Sequence, residues 1–379
     1  MGRERIDIHV CEQRLAMNEE RRARLEAVRR FEPVDHVPVQ ANVNQWYVLD
    51  QRGVSAGQYV SCPRENLRQQ LLNHKWRLEQ FDEDLPIPAD VVTITPDLGC
   101  LRGTEFEMEV IWQEGQPPKC EHPLQAPEQV DALSVPDPAG GVNRIRLDWY
   151  RRMRDLAEEF NVRLNGERLE VRVSIGQPGG PIPAAYALAG DNLLLWLSVE
   201  PERAAKLLSI TAESHINCIG YFDELCGRPT RHAVGMGCDI GEMLGPTMFR
   251  QFVVPAYERV WQAYPGRRSL HMCGDINHLF EALRDDLRID ELNGFGFPVD
   301  PAKMAEAWSG RVVMIGGPSP MLVKAGPSQR IVEESHRYID CLNRRGGYIL
   351  SLGGGAAVGT PVEHLRAMIN APRAVASHG

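Results

Sequence analysis

The sequence predicts an α/β protein built as a (β/α)8 TIM barrel. Three observations support this: short β-branched apolar runs that stop at glycine-rich turns, amphipathic stretches between them, and a length suited to one barrel with insertions. Seven runs carry the strand signature: "HVPVQANV", "VRVSIGQPGG", "RHAVGMGCD", "RSLHMCGD", "DELNGFGF", "RVVMIGGPSP" and "GYILSLGGG". "VVTITPDLG" is an eighth, weaker one. Stretches such as "PTMFRQFVVPAYERVWQAY" and "PSQRIVEESHRYIDCLNRR" supply the helical period between them. Alternation of strand and helix implies parallel strands joined by right-handed crossovers, and near-continuous strand hydrophobicity implies burial on both faces. A doubly wound open sheet is the runner-up, since its strands read the same way. No GxGxxG opens the first unit and no Walker loop occurs, which lowers the nucleotide-binding form of that alternative.

Taken in order, residues 1–31 form a charged stretch, expected to be an N-terminal helical extension rather than a secretion signal. The first strand follows at "HVPVQANV". Residues 91–138 then break the rhythm with alternating runs and a Pro-rich connector, expected to form a small β-rich insertion near one barrel mouth, either a lid or an inert excursion. From the third strand onward the alternation is regular, so residues 1–379 are expected to make a single barrel domain.

Composition limits the partners. The chain is 43% hydrophobic and 25% charged, enough apolar material for a sizeable core. A formal charge of -9 without a long Lys/Arg cluster argues against nucleic acid and anionic membranes, leaving small molecules and proteins. No apolar run approaches the ~20 residues that span a bilayer, and a cytoplasmic location is expected. The nine cysteines lack the close, even spacing of a disulfide framework, so most are expected to be reduced core residues.

In such a barrel the chemistry lies where strands end. These positions hold Asn42 on the first strand, Gln177 on the third, Cys238 and Asp239 on the fourth, His271 and Cys273 on the fifth, and Asn293 on the sixth. Asn42, Gln177 and Asn293 are candidate substrate-binding residues. His271 and Cys273 stand two apart, so an extended backbone points both to one face, where mixed N/S ligation suits Zn²⁺. Asp239 is either an N-cap or a functional carboxylate, and Glu242 either its capping-box partner or a second acid.

Longer stretches carry a family resemblance. "RRARLEAVRRFEPVDHVPV", "GQPGGPIPAAYALAGDNLLLWLSVEPERAAKLL", "GCDIGEMLGPTMFRQFVVPAYERV", "LHMCGD" and "MIGGPSPMLVKAGPSQRIVEE" resemble the uroporphyrinogen decarboxylase superfamily along nearly the whole chain. Within it they resemble the corrinoid-dependent methyltransferases of the methylcobalamin:coenzyme M type. The Arg-rich "MRQAGRY" segment of true decarboxylases is replaced by "QANVNQWYVLDQRG". The resemblance implies zinc held by His271 and Cys273, and a corrinoid delivered by a partner protein, since no Asp-x-His-x-x-Gly corrinoid motif occurs.

One departure stands out. Relatives with a His-Cys-Cys zinc site read "GGFILSTGCEIPPDTP" at the last strand, whereas this chain reads "GGYILSLGGGAAVGTP", with Gly354 at the third ligand's position. Cys238, Asp239 or Glu242 would then complete the shell; Cys238 and Glu242 are expected as ligands and Asp239 as the catalytic group. A carboxylate in place of a thiolate favours a methyl ether or alcohol-like donor. The rivals are a metal-independent decarboxylase or lyase and a degenerate ligand-binding barrel.

Overall fold

Eight parallel strands form the frame of the computed structural model, which describes residues 2–99, 102–113 and 118–376. They are β1 (Val39–Gln40), β2 (Val91–Ile94), β3 (Glu170–Val173), β4 (Val234–Gly237), β5 (Arg268–His271), β6 (Glu291–Phe295), β7 (Val313–Gly316) and β8 (Tyr348–Ser351). Six pair in the order β1-β8-β7-β6-β5-β4, and β2 pairs with β3. That is the neighbour order of a (β/α)8 barrel, with strand ladders interrupted at two seams among the described residues.

Other hydrogen bonds bridge both seams. Between β3 and β4, the Gly237 amide donates to the Gly179 carbonyl at 2.6 Å. Beside β1, the Asp84 amide donates to the Val39 carbonyl at 2.9 Å, and Glu83 Oε2 accepts from the Ala41 amide at 2.7 Å. This places two carboxylates in the interior, where charge must be paired. Asp84, 1% exposed at its side chain, is met by Arg24 at 2.8 Å, and Arg77 grips Glu83 through two bonds of 2.9 Å.

The strands β6 to β8 read as apolar runs because most of their residues are buried, whereas β2 to β5 keep exposed or half-buried positions. All four residues of β8 are buried. Leu270, Leu292, Met314 and Leu350 join one core with the helices Pro201–Leu225, Val254–Ala263 and Ser328–Leu342. A second core lies beneath β2 and β3 and includes Ile6, Ile8, Phe160 and Val162.

That second core corrects one expectation. The opening 1–31 is not helical throughout: Glu4–Ile8 is a strand, paired in parallel with Phe160–Leu164, and helices follow only at Glu12–Ala16 and Asn18–Arg29. Ile6 and Ile8 are buried while Asp7 between them is not, a period-two pattern masked by the charges around it. Within 91–138, Val91–Ile94 is the barrel strand β2 itself, and the excursion after it carries an antiparallel pair, Val110–Ile111 with Lys119–Cys120. Among the described residues no single helix is long and apolar enough to cross a membrane.

Candidate metal centre

β4 and β5 run side by side, with His271 opposite Gly237, and the Cys238 amide donates to the His271 carbonyl at 2.8 Å. This register sets the residues just past β4 against those just past β5. The Asp239 carboxylate consequently meets both members of the His-x-Cys pair. Its Oδ1 accepts from the Cys273 amide and from the Cys273 thiol, each at 3.2 Å, and lies 3.5 Å from His271 Nε2. The three donor atoms are all within 4.8 Å of one another. Ligands on a tetrahedral zinc are separated by about 3.3–3.8 Å, given Zn–N and Zn–S bonds of about 2.0 and 2.3 Å, so the N/O/S set fits such an ion.

Neighbours fix the imidazole. Asn293, opposite His271 in the β5–β6 register, accepts from His271 Nδ1 at 2.7 Å, while its own Nδ2 donates to the Leu270 carbonyl at 3.3 Å. The second bond orients the amide so that its oxygen faces the ring. Nδ1 therefore carries the proton, and Nε2 presents a lone pair to the cluster. Gly294 makes room: a Cβ there would lie 2.4 Å from His271 Cε1, and its φ of +95° is one that side chains rarely adopt.

The sulfur is held as a thiol. Burial, and then the neighbouring Asp239 and Glu242 carboxylates, push the Cys273 pKa up to about 12. A dication replaces such a proton, since the thiolate is the ligand form. Glu242 lies against the backbone beside Cys273: a Cβ on Gly274 would meet its Oε2 at 1.5 Å. Burial and the nearby Asp239 raise its pKa, and Oε2 has no hydrogen-bond partner.

Several expected roles change. Cys238 is not among the mutually close donors: its fully buried side chain interacts with Tyr257. Glu242 also lies outside the group of mutually close donors, since its carboxylate rests over Gly274. Asp239, expected as the catalytic group, is the third member of the group of mutually close donors. Asn293, expected at the substrate, spends its amide on His271 and Leu270. Asn42, at φ +48°, gives its Nδ2 to the Gly354 carbonyl at 2.7 Å and so ties β1 to the loop after β8. Gln177 lines a polar cavity at the ends of β2 and β3.

Asp239 also borders a cavity of about 390 Å³, together with Arg102, Lys119, Cys120, His122 and Tyr186. Lys119 and Cys120 belong to the antiparallel excursion, which thus walls the space next to the cluster. His122 is fastened there by its Nδ1 to the Ala187 carbonyl at 2.8 Å.

The uroporphyrinogen decarboxylase family model matches residues 20–375. A uroporphyrinogen decarboxylase from Anaeromyxobacter sp. (strain Fw109-5) is 27% identical over 373 residues, covering 93% of this chain and 98% of that one. A methylated-thiol–coenzyme M methyltransferase from Methanosarcina mazei is 23% identical over 192 residues, about half of each chain (50% and 50%). Among solved structures, a methyltransferase from Methanosarcina mazei superposes with a TM-score of 0.65 at 20% identity, covering 94% of this chain and 98% of that one.

Proposed function

The chain belongs to the uroporphyrinogen decarboxylase family, and from that premise we propose that it is a corrinoid-dependent methyltransferase, working on a small-molecule substrate with the corrinoid carried by a partner protein. The observation that carries the reading is the convergence of Asp239, His271 and Cys273 at the ends of β4 and β5. The partial match to a methylated-thiol–coenzyme M methyltransferase supports it. Zinc held by these three side chains would polarise a substrate heteroatom as a Lewis acid.

The chain's own residues do the rest. Asn293 keeps the His271 lone pair on Nε2. Cys273 would ligate as a thiolate, and Glu242, whose carboxylate rests over Gly274, adds negative charge beside it. An Asp239 oxygen in place of the third sulfur of His-Cys-Cys relatives would make the centre harder. An ether or alcohol-like methyl donor suits that centre better than a thiol does.

The test is metal analysis together with methyl transfer to free cob(I)alamin, followed by its absorbance. About one zinc per chain, lost in Cys273→Ala along with activity, is the expected result. Metal content unaffected by that substitution would remove the pair from the account.

A second reading, a metal-independent decarboxylase, is favoured by the 27% identity to a uroporphyrinogen decarboxylase across nearly its full length. Against it stands "QANVNQWYVLDQRG" where the Arg-rich segment belongs. Activity that survives chelation and needs no corrinoid would select it.

A further inference from the structure

At the ends of β2 and β3 lies a separate cavity of about 170 Å³, lined by Asp97, Arg102, Glu105, Arg146 and Gln177. Arg102 borders both this space and the cavity that Asp239 faces. Gly179, on its wall, is hydrogen-bonded to Gly237, two residues before Asp239. Gly179 also admits Arg102 across the barrel mouth, since a Cβ there would lie 2.4 Å from Arg102 Cδ. Arg102 thus forms part of the wall of both cavities.

Arg146 reaches the cavity from the helix Asn143–Ala157 as a half-buried side chain on its wall. Its partners are neutral and long: Thr104 Oγ1 at 3.3 Å, Asn143 Oδ1 at 3.2 Å and the Gly176 carbonyl at 3.3 Å, with Phe222 under its face. Among the described residues no carboxylate comes within 4.0 Å of it. The two carboxylates in the cavity are committed elsewhere. Asp97 accepts from the Tyr59 hydroxyl at 2.7 Å and the Gly99 amide at 2.8 Å, and Glu105 accepts from Ser214 at 2.6 Å. Burial raises the pKa of both, against the pull of the Arg146 charge. A half-buried cation that borders a void, with no carboxylate in ion-pair contact among the described residues, leaves room for an added anion.

We infer that this cavity is an anion-binding subsite, in which Arg146, beside Arg102, takes the carboxylate or equivalent oxyanion of a small substrate whose other end reaches Asp239, His271 and Cys273. The anion preference stands on the cavity alone; the assignment of that anion to the substrate rests on the proposed methyl-transfer site. Gln177, at the same wall, supplies an amide for the same group.

The test is calorimetric titration of the zinc-loaded full chain with methoxyacetate, with its neutral counterpart methoxyacetamide, and with inorganic phosphate. The acid is expected to bind on the order of tenfold or more tighter than the amide, as a charge-assisted hydrogen bond warrants. Arg146→Gln should abolish this preference, and Arg146→Lys should keep part of it. Equal binding of acid and amide to the unaltered protein overturns the inference without recourse to a variant, as does a preference that survives in Arg146→Gln. Phosphate competing with the acid supports a shared subsite; phosphate binding without acid binding overturns the substrate assignment. Because binding requires no turnover, an acid preference without methyl transfer would refute only the proposed function. Methyl transfer with equal kcat/KM for acid and amide donors would refute only this subsite.

Discussion

Replacing Asn293 by Ala removes the acceptor that fixes the His271 tautomer, and its effect on zinc can be anticipated. The bond lost is the 2.7 Å contact to His271 Nδ1, on a ring that also packs against Gly294. Steric packing stays; tautomer and basicity do not. Loss of such an outer hydrogen bond costs roughly 10- to 100-fold in metal affinity, or about 1.4–2.7 kcal/mol. The assay is zinc competition against a chromophoric chelator at neutral pH, with circular dichroism to verify folding. Asn293→Asp keeps an acceptor and adds charge, so it should bind zinc at least as well as the unaltered protein. If Asn293→Ala and Asn293→Asp weaken zinc equally, or neither changes it, His271 does not present Nε2 to a metal as argued.

Three further outcomes follow. Because the Cys273 thiol is pushed up to about 12, zinc must displace its proton; apparent affinity should rise about tenfold per pH unit near neutrality, with one proton released per ion, and titrations in buffers of different ionisation enthalpy that show no proton release would contradict this. Gly294→Ala, which forces a side chain into φ +95° and a Cβ to 2.4 Å from His271, should abolish zinc binding and cost about 1–3 kcal/mol in denaturant unfolding; unchanged zinc affinity would contradict the packing. Arg24→Ala should cost about 3 kcal/mol by leaving the buried Asp84 charge short of a partner. Burial opposes that charge, but His36 and Arg373 hold the Asp84 pKa below its usual value, so its contribution to stability is present above the ordinary carboxylate range and lost as pH falls below it. An acid unfolding midpoint unaltered in Asp84→Asn would refute this.

The barrel was legible because strands buried on both faces must be apolar throughout, as Tyr348–Ser351 is. The Glu4–Ile8 strand was obscured by the charged helix that follows it; only the short Ile6–Ile8–Val10 alternation marked it. His271 and Cys273 were readable from period two alone. The choice among Cys238, Asp239 and Glu242 was not, since backbone extension ends at Cys238 (φ −142°, ψ 32°) and local periodicity no longer assigns a face. Asn293 looked like a substrate contact because it ends a strand, while its role is set by the β5–β6 register, a tertiary property. Arg146 gave no signal, because it enters the mouth from a helix rather than from a strand end.

The central claim is that one sulfur, one imidazole nitrogen and one carboxylate oxygen hold a zinc ion between the ends of β4 and β5. X-ray absorption at the zinc edge of the metal-loaded protein tests it most directly. The account predicts a single sulfur at about 2.3 Å with nitrogen and oxygen neighbours at about 2.0 Å. A shell with two sulfurs, or with none, would contradict it.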